Sequence, residues 1–145
     1  MGTIVQEYGP IYGEAVNGTV SGRPNGSVYI PEYNTITLSS GNDMIQVRNI
    51  NGYRVELQYG RVVAVAQDLA SYIKLALYDD AALTTEICHN WYPAGGFNYD
   101  VTYLRLGTIA DPTDITSGGT YYAVAFLMNN GEAIATSDVL EVEAL

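Results

Sequence analysis

Chemically reactive side chains are scarce in this sequence of 145 residues. It contains one cysteine (Cys88), one histidine (His89), one lysine (Lys74) and one tryptophan (Trp91). A single cysteine excludes an internal disulfide framework, and one histidine beside one cysteine leaves too few ligands for a structural zinc site. Neighbours on a strand point to opposite faces, so Cys88 and His89 would not meet as nucleophile and base. We therefore expect no metal, no cofactor and no enzymatic activity.

Positive charge is also scarce. The chain has 6 Lys+Arg against 16 Asp+Glu, which gives a net charge of −10 and a pI near 4.2. Nucleic-acid phosphates and anionic lipid headgroups repel such a chain, so we expect it to bind neither nucleic acid nor a membrane. No apolar run approaches the roughly 20 residues of a membrane span. The first residues also lack the basic-then-apolar order of a signal peptide.

Glycine and tyrosine, by contrast, are abundant, with 15 Gly and 13 Tyr. Tyr suits a pleated surface, where its ring packs and its hydroxyl stays in water. The pair Asn-Gly, which favours type I′ hairpin turns, occurs four times: at Asn17-Gly18, Asn25-Gly26, Asn51-Gly52 and Asn130-Gly131. Alternation of apolar and polar residues predicts strands over residues 28–30, 35–38, 44–47, 53–59, 62–66, 71–78, 100–106, 120–128 and 139–143. We predict an all-β fold, an antiparallel β-sandwich.

One stretch, residues 66–87, carries two patterns. Leu69, Ile73 and Leu77 fall at helical spacing, whereas Ile73, Leu75 and Leu77 alternate with more polar neighbours, as in a half-buried strand. We prefer the strand.

Composition shifts near residue 52. Residues 1–52 are rich in Gly, Asn, Ser and Pro and poor in large apolar residues, so we predict an N-terminal extended or hairpin-rich arm, or a small β subdomain, that serves anchoring or oligomerisation. Residues 53–145 hold the denser apolar strands and match the size of one sandwich domain. The arm would make its contacts with partners through its larger side chains: Tyr8, Ile11, Tyr12, Tyr29 and Tyr33.

The segment 115–126 is similar to the last two strands of fibronectin type III and related immunoglobulin-like domains. In that family a Leu-x-x-Gly-x-x-Tyr run forms a tyrosine corner, and Ile115, Gly118 and Tyr121 fit its spacing. A corner at Tyr122 would instead send Val124, Phe126 and Met128 inward. The resemblance implies an immunoglobulin-like sandwich over residues 53–145, and it leaves the register of this strand open.

The aromatic loop of residues 91–99 is the strongest candidate for a ligand surface. We expect Trp91 to fill the sandwich core, and Tyr92, Phe97 and Tyr99 to offer rings for stacking on sugars or on apolar groups of a protein. The carboxylates of Asp80 and Asp111 are predicted to cap turns; the calcium-loop pattern Asp-x-Asp-x-Asp-Gly is absent.

Two functions fit a compact β module without reactive groups. The first is a non-enzymatic structural protein of a bacteriophage virion, of the capsid-decoration or head-fibre type, assembled in the host cytoplasm and anchored by residues 1–52. Its partners would be capsid or tail subunits and further copies of itself. Segment 77–85 resembles stretches of bacteriophage structural proteins and of bacterial surface repeats. The second is a carbohydrate-binding or adhesive module of a bacterial surface protein, with a glycan as partner.

Overall fold

The computed structural model describes residues 33–94 and 99–145, and 61% of them lie in β-strands against 4% in helical turns. The all-β prediction is therefore confirmed. The described residues form eleven strands in chain order: β1 (Thr35–Ser40), β2 (Met44–Asn49), β3 (Tyr53–Leu57), β4 (Gly60–Val65), β5 (Tyr72–Tyr78), β6 (Glu86–Pro93), β7 (Tyr99–Thr102), β8 (Arg105–Ile109), β9 (Thr120–Asn129), β10 (Glu132–Thr136) and β11 (Leu140–Ala144). A short 3-10 turn covers Pro112–Asp114. Within these residues no helix has the length and apolarity to cross a membrane.

The strands form two sheets that pack together. The smaller has the order β1-β4-β7, and the larger the order β6-β5-β9-β11-β2-β3-β8, with β10 paired to β9. Neighbouring strands are antiparallel except β11 and β2, which run parallel. Such sheets bury one face and leave the other in contact with solvent, so strand parity decides which side chains face outward.

The two edge strands of the larger sheet, β6 and β8, approach each other at Gly107. This residue has a φ of 141°, and a Cβ atom placed there would lie 2.6 Å from the backbone oxygen and 2.8 Å from the backbone nitrogen of His89. Only a glycine fits a backbone conformation and a contact of this kind. The larger sheet thus curls until its edges meet.

One aliphatic core lies inside the curled sheets. Ile45, Leu57, Ile73, Leu75 and Leu127 are at most 2% exposed. Burying each such side chain contributes roughly 1.5 to 3 kcal/mol to stability. The alternation of Ile73, Leu75 and Leu77 places all three in this core, which confirms the strand, rather than the helix, in residues 66–87.

Residues 33–52 belong to this same core. Ile36 and Leu38 of β1 and Ile45 of β2 pack in one cluster with residues that follow position 52. Among the described residues, therefore, no boundary between separate cores lies at that position. Residues 1–32 lie outside the described residues, so an anchoring or oligomerisation role for the N-terminal region stays a prediction.

Two Asn-Gly turns fall where they were predicted. Asn51 and Gly52 have φ values of 50° and 111° between β2 and β3, and Asn130 and Gly131 have 54° and 81° between β9 and β10. Positive φ at both positions is what a type I′ turn requires. The other two Asn-Gly pairs lie outside the described residues.

Two strand predictions were too long. Residues 53–59 were predicted as one strand, but β3 ends at Leu57 and the chain turns at Tyr59, which has a φ of 50°. Residues 100–106 were likewise predicted as one strand, but Tyr103, at a φ of 61°, separates β7 from β8. Strand β6 was not predicted.

In β9 the tyrosine side chain that faces the main core is Tyr121, and Tyr122 lies on the opposite face. The Tyr121 hydroxyl accepts a hydrogen bond of 2.8 Å from the backbone nitrogen of Thr116, as a tyrosine corner requires. Tyr121 packs in the main core with Ala123, Ala125 and Leu127. On the opposite face of β9, Val124 is also fully buried, in a second, smaller cluster with Ala76 and Tyr78. Both faces of this strand are therefore covered in its middle.

Candidate binding surface

The outer faces of β5 and β6 bring together aromatic and charged side chains. Ile73 and Leu75 point into the core. Tyr72 and Lys74, which alternate with them along β5, therefore point outward. On β6, Cys88 points inward, and His89 and Trp91 lie on the outer face. The pairing places Lys74 opposite Trp91 and Ala76 opposite His89. We call this surface, formed by Tyr72, Lys74, Glu86, His89 and Trp91, the Trp91 face.

Trp91 is 49% exposed, so the expectation that it fills the core is wrong. Its ring meets the edges of two others: the Tyr72 centroid lies 5.2 Å away at 66° and the His89 centroid 5.1 Å away at 70°. The ammonium nitrogen of Lys74 lies 5.8 Å from the Trp91 centroid, within reach of a cation–π attraction. These contacts hold the indole in place and leave half of it open to a partner.

A small ion network lies beside the indole. One carboxylate oxygen of Glu86 is 2.9 Å from Lys74 Nζ, and the other accepts a hydrogen bond of 2.5 Å from His89 Nδ1. Burial raises the pKa of Glu86, but hydrogen bonds from His89 and Lys74 outweigh it and hold the pKa below its ordinary value. The carboxylate is therefore ionised at neutral pH and occupied by its two neighbours, which suits positioning of side chains rather than proton transfer.

A shallow, open depression of about 470 Å³ adjoins Trp91, lined by Tyr72, Trp91, Tyr92 and Pro93. Its walls are almost wholly aromatic or aliphatic, with Lys74, Glu86 and His89 next to Trp91. An arrangement of flat rings with a few polar groups at one side binds by stacking and packing.

Two of the three predicted ligand residues are described, and both are partly buried against the core. Tyr92 also lines the depression beside Trp91, and its hydroxyl accepts a hydrogen bond of 3.1 Å from the backbone nitrogen of Arg105. Tyr99 packs against the core, and burial raises its pKa. Phe97 lies outside the described residues. A ligand surface made of these three residues stays a prediction.

Of the predicted partner contacts, Tyr33 is described, and its side chain is 42% exposed. Tyr8, Ile11, Tyr12 and Tyr29 lie outside the described residues, so those contacts stay predictions as well.

Three further titratable groups, Cys88, Asp80 and Asp111, lie in structural surroundings. Burial raises the pKa of the Cys88 thiol to about 12, so the thiol stays protonated. The carboxylates of Asp80 and Asp111 accept hydrogen bonds from Thr84 and Thr113 in their turns, and these bonds lower their pKa values. Over residues 33–94 and 99–145, no group of three or more His, Cys, Asp or Glu side chains is arranged to hold a metal ion.

Sequence reasoning missed Tyr72, Lys74 and Glu86 as site residues. The signal was the alternation of β5 itself: if Ile73 and Leu75 point inward, Tyr72 and Lys74 share the outer face. What the sequence did not disclose is the pairing of β5 with β6, which brings Trp91 onto that face.

Comparisons with known proteins identify no family. No protein-family model matches the chain, and no curated protein matches it significantly. Among solved structures, it is similar to a glycosyl hydrolase family 2 member from Bacteroides cellulosilyticus, with a TM-score of 0.45 and 9% sequence identity. The match covers 77% of this chain and 15% of that one, so the chain spans a small part of the other protein's length.

Proposed function

We propose that this chain is a non-enzymatic structural protein of a bacteriophage virion, of the capsid-decoration or head-fibre type. In this proposal residues 1–32 attach the protein to capsid or tail subunits or to further copies of itself, and the immunoglobulin-like sandwich is displayed outward. The protein would be assembled into the particle in the host cytoplasm.

The observation that carries a binding function is the Trp91 face. The indole of Trp91 is half exposed and held by Tyr72 and His89, while the nearest carboxylate, Glu86, is engaged by Lys74 and His89. A surface of this kind offers packing area to a neighbour and no free acid–base pair. Because a particle presents many copies of the protein, a modest affinity of each Trp91 face for a partner gives firm binding of the whole particle to that partner.

The composition agrees with display in many copies. A net charge of −10 keeps closely spaced copies soluble. With a single, buried Cys88, the domain gains its stability from aliphatic burial rather than from disulfides, which suits assembly in a reducing compartment.

The test is attachment to purified particles from the source, measured by co-sedimentation and by electron microscopy. Deleting residues 1–32 should abolish attachment, and thermal unfolding of the shortened protein checks that the sandwich, whose strand β1 begins at Thr35, still folds. A longer deletion to residue 52 would be uninformative, since it removes β1 and β2 from the core. Full occupancy of particles by the shortened protein would contradict the proposed anchor.

A second function, a carbohydrate-binding or adhesive module of a bacterial surface, is favoured by the open depression beside Trp91 and its neighbouring Lys74 and Glu86. On this alternative, Trp91→Ala should lower glycan binding at least about tenfold, and deletion of residues 1–32 should leave it intact. On the virion proposal, the deletion of residues 1–32 should lower attachment to particles more than Trp91→Ala does. The two variants therefore separate the two functions.

A further inference from the structure

A second aromatic surface lies on the outer side of β2 and β3, away from the strands that carry Trp91. It is a groove of about 280 Å³ bordered by two tyrosines, Tyr59 and Tyr103, with polar side chains between them. We call it the tyrosine groove; besides the two tyrosines it comprises Gln46, Arg48, Glu56 and Gln58.

Both tyrosines are held in the left-handed region of backbone conformation. Tyr59 has a φ of 50° and Tyr103 a φ of 61°. Six described residues other than glycine have positive φ, and three of them are Asp or Asn, the types that tolerate this conformation. A bulky side chain there is strained, and strain of this kind collects at functional sites.

Packing does not explain the two tyrosines, since the side chains stand in solvent. Tyr103 is 92% exposed and Tyr59 is 78% exposed. At Tyr59 only the base of the side chain is closely approached, because a Cβ atom on Gly41 would lie 2.9 Å from the Tyr59 Cβ. The chain thus accepts strain at both positions and gains little buried area from either ring, which points to a ligand that covers the rings.

Glu56 is shared by two arginines. Arg48, which lines the groove, and Arg54, which is not among its lining residues, both approach Glu56, each with a nitrogen–oxygen distance of 3.3 Å. Because the carboxylate is divided between two guanidinium groups, it compensates the charge of Arg48 only in part. Arg54 Nε is buried without a hydrogen-bond partner in the described part of the chain, and the Arg48 side chain is 52% exposed. Arg48 is therefore the cation that a ligand can reach.

Amide groups complete the groove. Gln46 donates to Glu56 Oε1 at 3.4 Å, and Gln58 Oε1 accepts a hydrogen bond of 2.8 Å from Asn42 Nδ2. Phenol rings at the border suit the C–H face of a sugar ring, side-chain amides suit its hydroxyls, and a guanidinium suits a carboxylate. A peptide of acidic residues would satisfy Arg48 but would leave both rings in water.

We propose that the tyrosine groove binds an acidic saccharide, with the carboxylate on Arg48 and the sugar ring against Tyr103 or Tyr59. The proposal concerns a surface distinct from the Trp91 face and does not rest on the virion function.

Titration calorimetry with matched ligands tests it. The probes are trigalacturonic acid and its methyl ester, which differ in charge, and sialyllactose and lactose, which differ by the acidic sugar. Triglutamate serves as a peptide of the same charge as trigalacturonic acid. At least one acidic saccharide should bind at concentrations up to about 5 mM, and its neutral counterpart should bind at least about tenfold more weakly.

Variants assign the binding to the groove. Arg48→Gln should weaken it at least about tenfold, and Tyr103→Ala about fivefold. Arg61→Gln is the matched control, because Arg61 is held by Asp100 outside the groove and its loss should leave affinity unchanged. The proposal is overturned if neither acidic saccharide binds, or if the neutral forms bind with equal affinity. It is also overturned if triglutamate binds as tightly as trigalacturonic acid, or if Arg48→Gln and Arg61→Gln change the affinity equally.

Discussion

The Trp91 face and the tyrosine groove present aromatic rings in two different ways. Trp91 and Tyr72 lie on regular strands, where parity turns them outward, and each ring contacts a neighbour. Tyr59 and Tyr103 lie in turns at positive φ and are almost wholly in solvent. The first arrangement carries no backbone strain and also suits packing between subunits. The second is strained without a matching gain in packing, so it indicates a ligand more strongly.

The largest effect should come from the contact that supports both surfaces. Gly107 lies where β8, which follows the Tyr103 turn, meets β6, which carries Trp91. We expect Gly107→Ala to reduce the free energy of unfolding by roughly 3 kcal/mol or more, because the new Cβ would lie 2.6 Å from a backbone oxygen that cannot move aside. Urea denaturation measures the loss.

Gly118→Ala is the matched control for this substitution. Gly118 also has a positive φ, of 81°, but no atom lies within 4 Å of an added Cβ. Backbone strain alone should then reduce stability by about 1 kcal/mol. Equal losses in the two variants would mean that β6 and β8 are not in close contact, and the two surfaces would then be structurally independent.

The difference between the Trp91 face and the tyrosine groove predicts that substitutions of Trp91 and Tyr103 change stability in opposite directions. Trp91→Ala should reduce the free energy of unfolding by about 1 kcal/mol, through the lost edge contacts and buried half of the ring. Tyr103→Asn should increase it by roughly 0.5 to 1 kcal/mol, because Asn adopts positive φ more readily. Urea unfolding of both variants is the measurement, and a loss of stability in Tyr103→Asn would show that this ring has a structural role.

The residues that sequence analysis misplaced are instructive. Tyr59 and Tyr103 are the two points at which predicted strands ran through turns, because Tyr favours strands and its type gives no sign of positive φ. The Asn-Gly turn at Asn51 was predicted because there the residue type itself favours that conformation. Local rules fail most often at functional or strained sites, which is consistent with the role proposed for the groove.

Trp91 was misplaced for a different reason. The immunoglobulin resemblance assigned Trp91 to the core, as the central Trp of that family. Strand β6 instead alternates: Cys88 is buried, whereas His89 and Trp91 lie on the exposed face. The two-residue period of the strand decides the facing of the indole, and it outweighs the resemblance.

Lowering the pH should change the stability effect of a substitution at Glu86 on the Trp91 face and leave the stability effect of Tyr103→Asn unchanged. The folded-state pKa of Glu86 lies below its ordinary value of 4.5, so its stabilising contribution is present above that value and is lost as the pH falls through the folded-state pKa. Glu86→Gln should therefore lower the melting temperature at pH 7, and the difference from the parent should shrink as the pH falls below 4.5 and through the folded-state pKa. The difference between Tyr103→Asn and the parent should not change over this range, because the substitution neither adds nor removes a carboxylate.

The reactivity of Cys88, which lies on the inner face of β6 behind the Trp91 face, shows whether the two surfaces open together. The side chain is 5% exposed and its pKa is raised to about 12, so at pH 8 a thiol reagent should label the folded protein at least about a hundredfold more slowly than the protein in urea. Because a Cβ on Gly107 would lie 2.9 Å from Cys88 Cβ, Gly107→Ala should speed labelling, and Tyr103→Asn should not. Equal acceleration by both variants would mean that the Tyr103 turn and β6 open together, and the two aromatic surfaces would then belong to one cooperative unit.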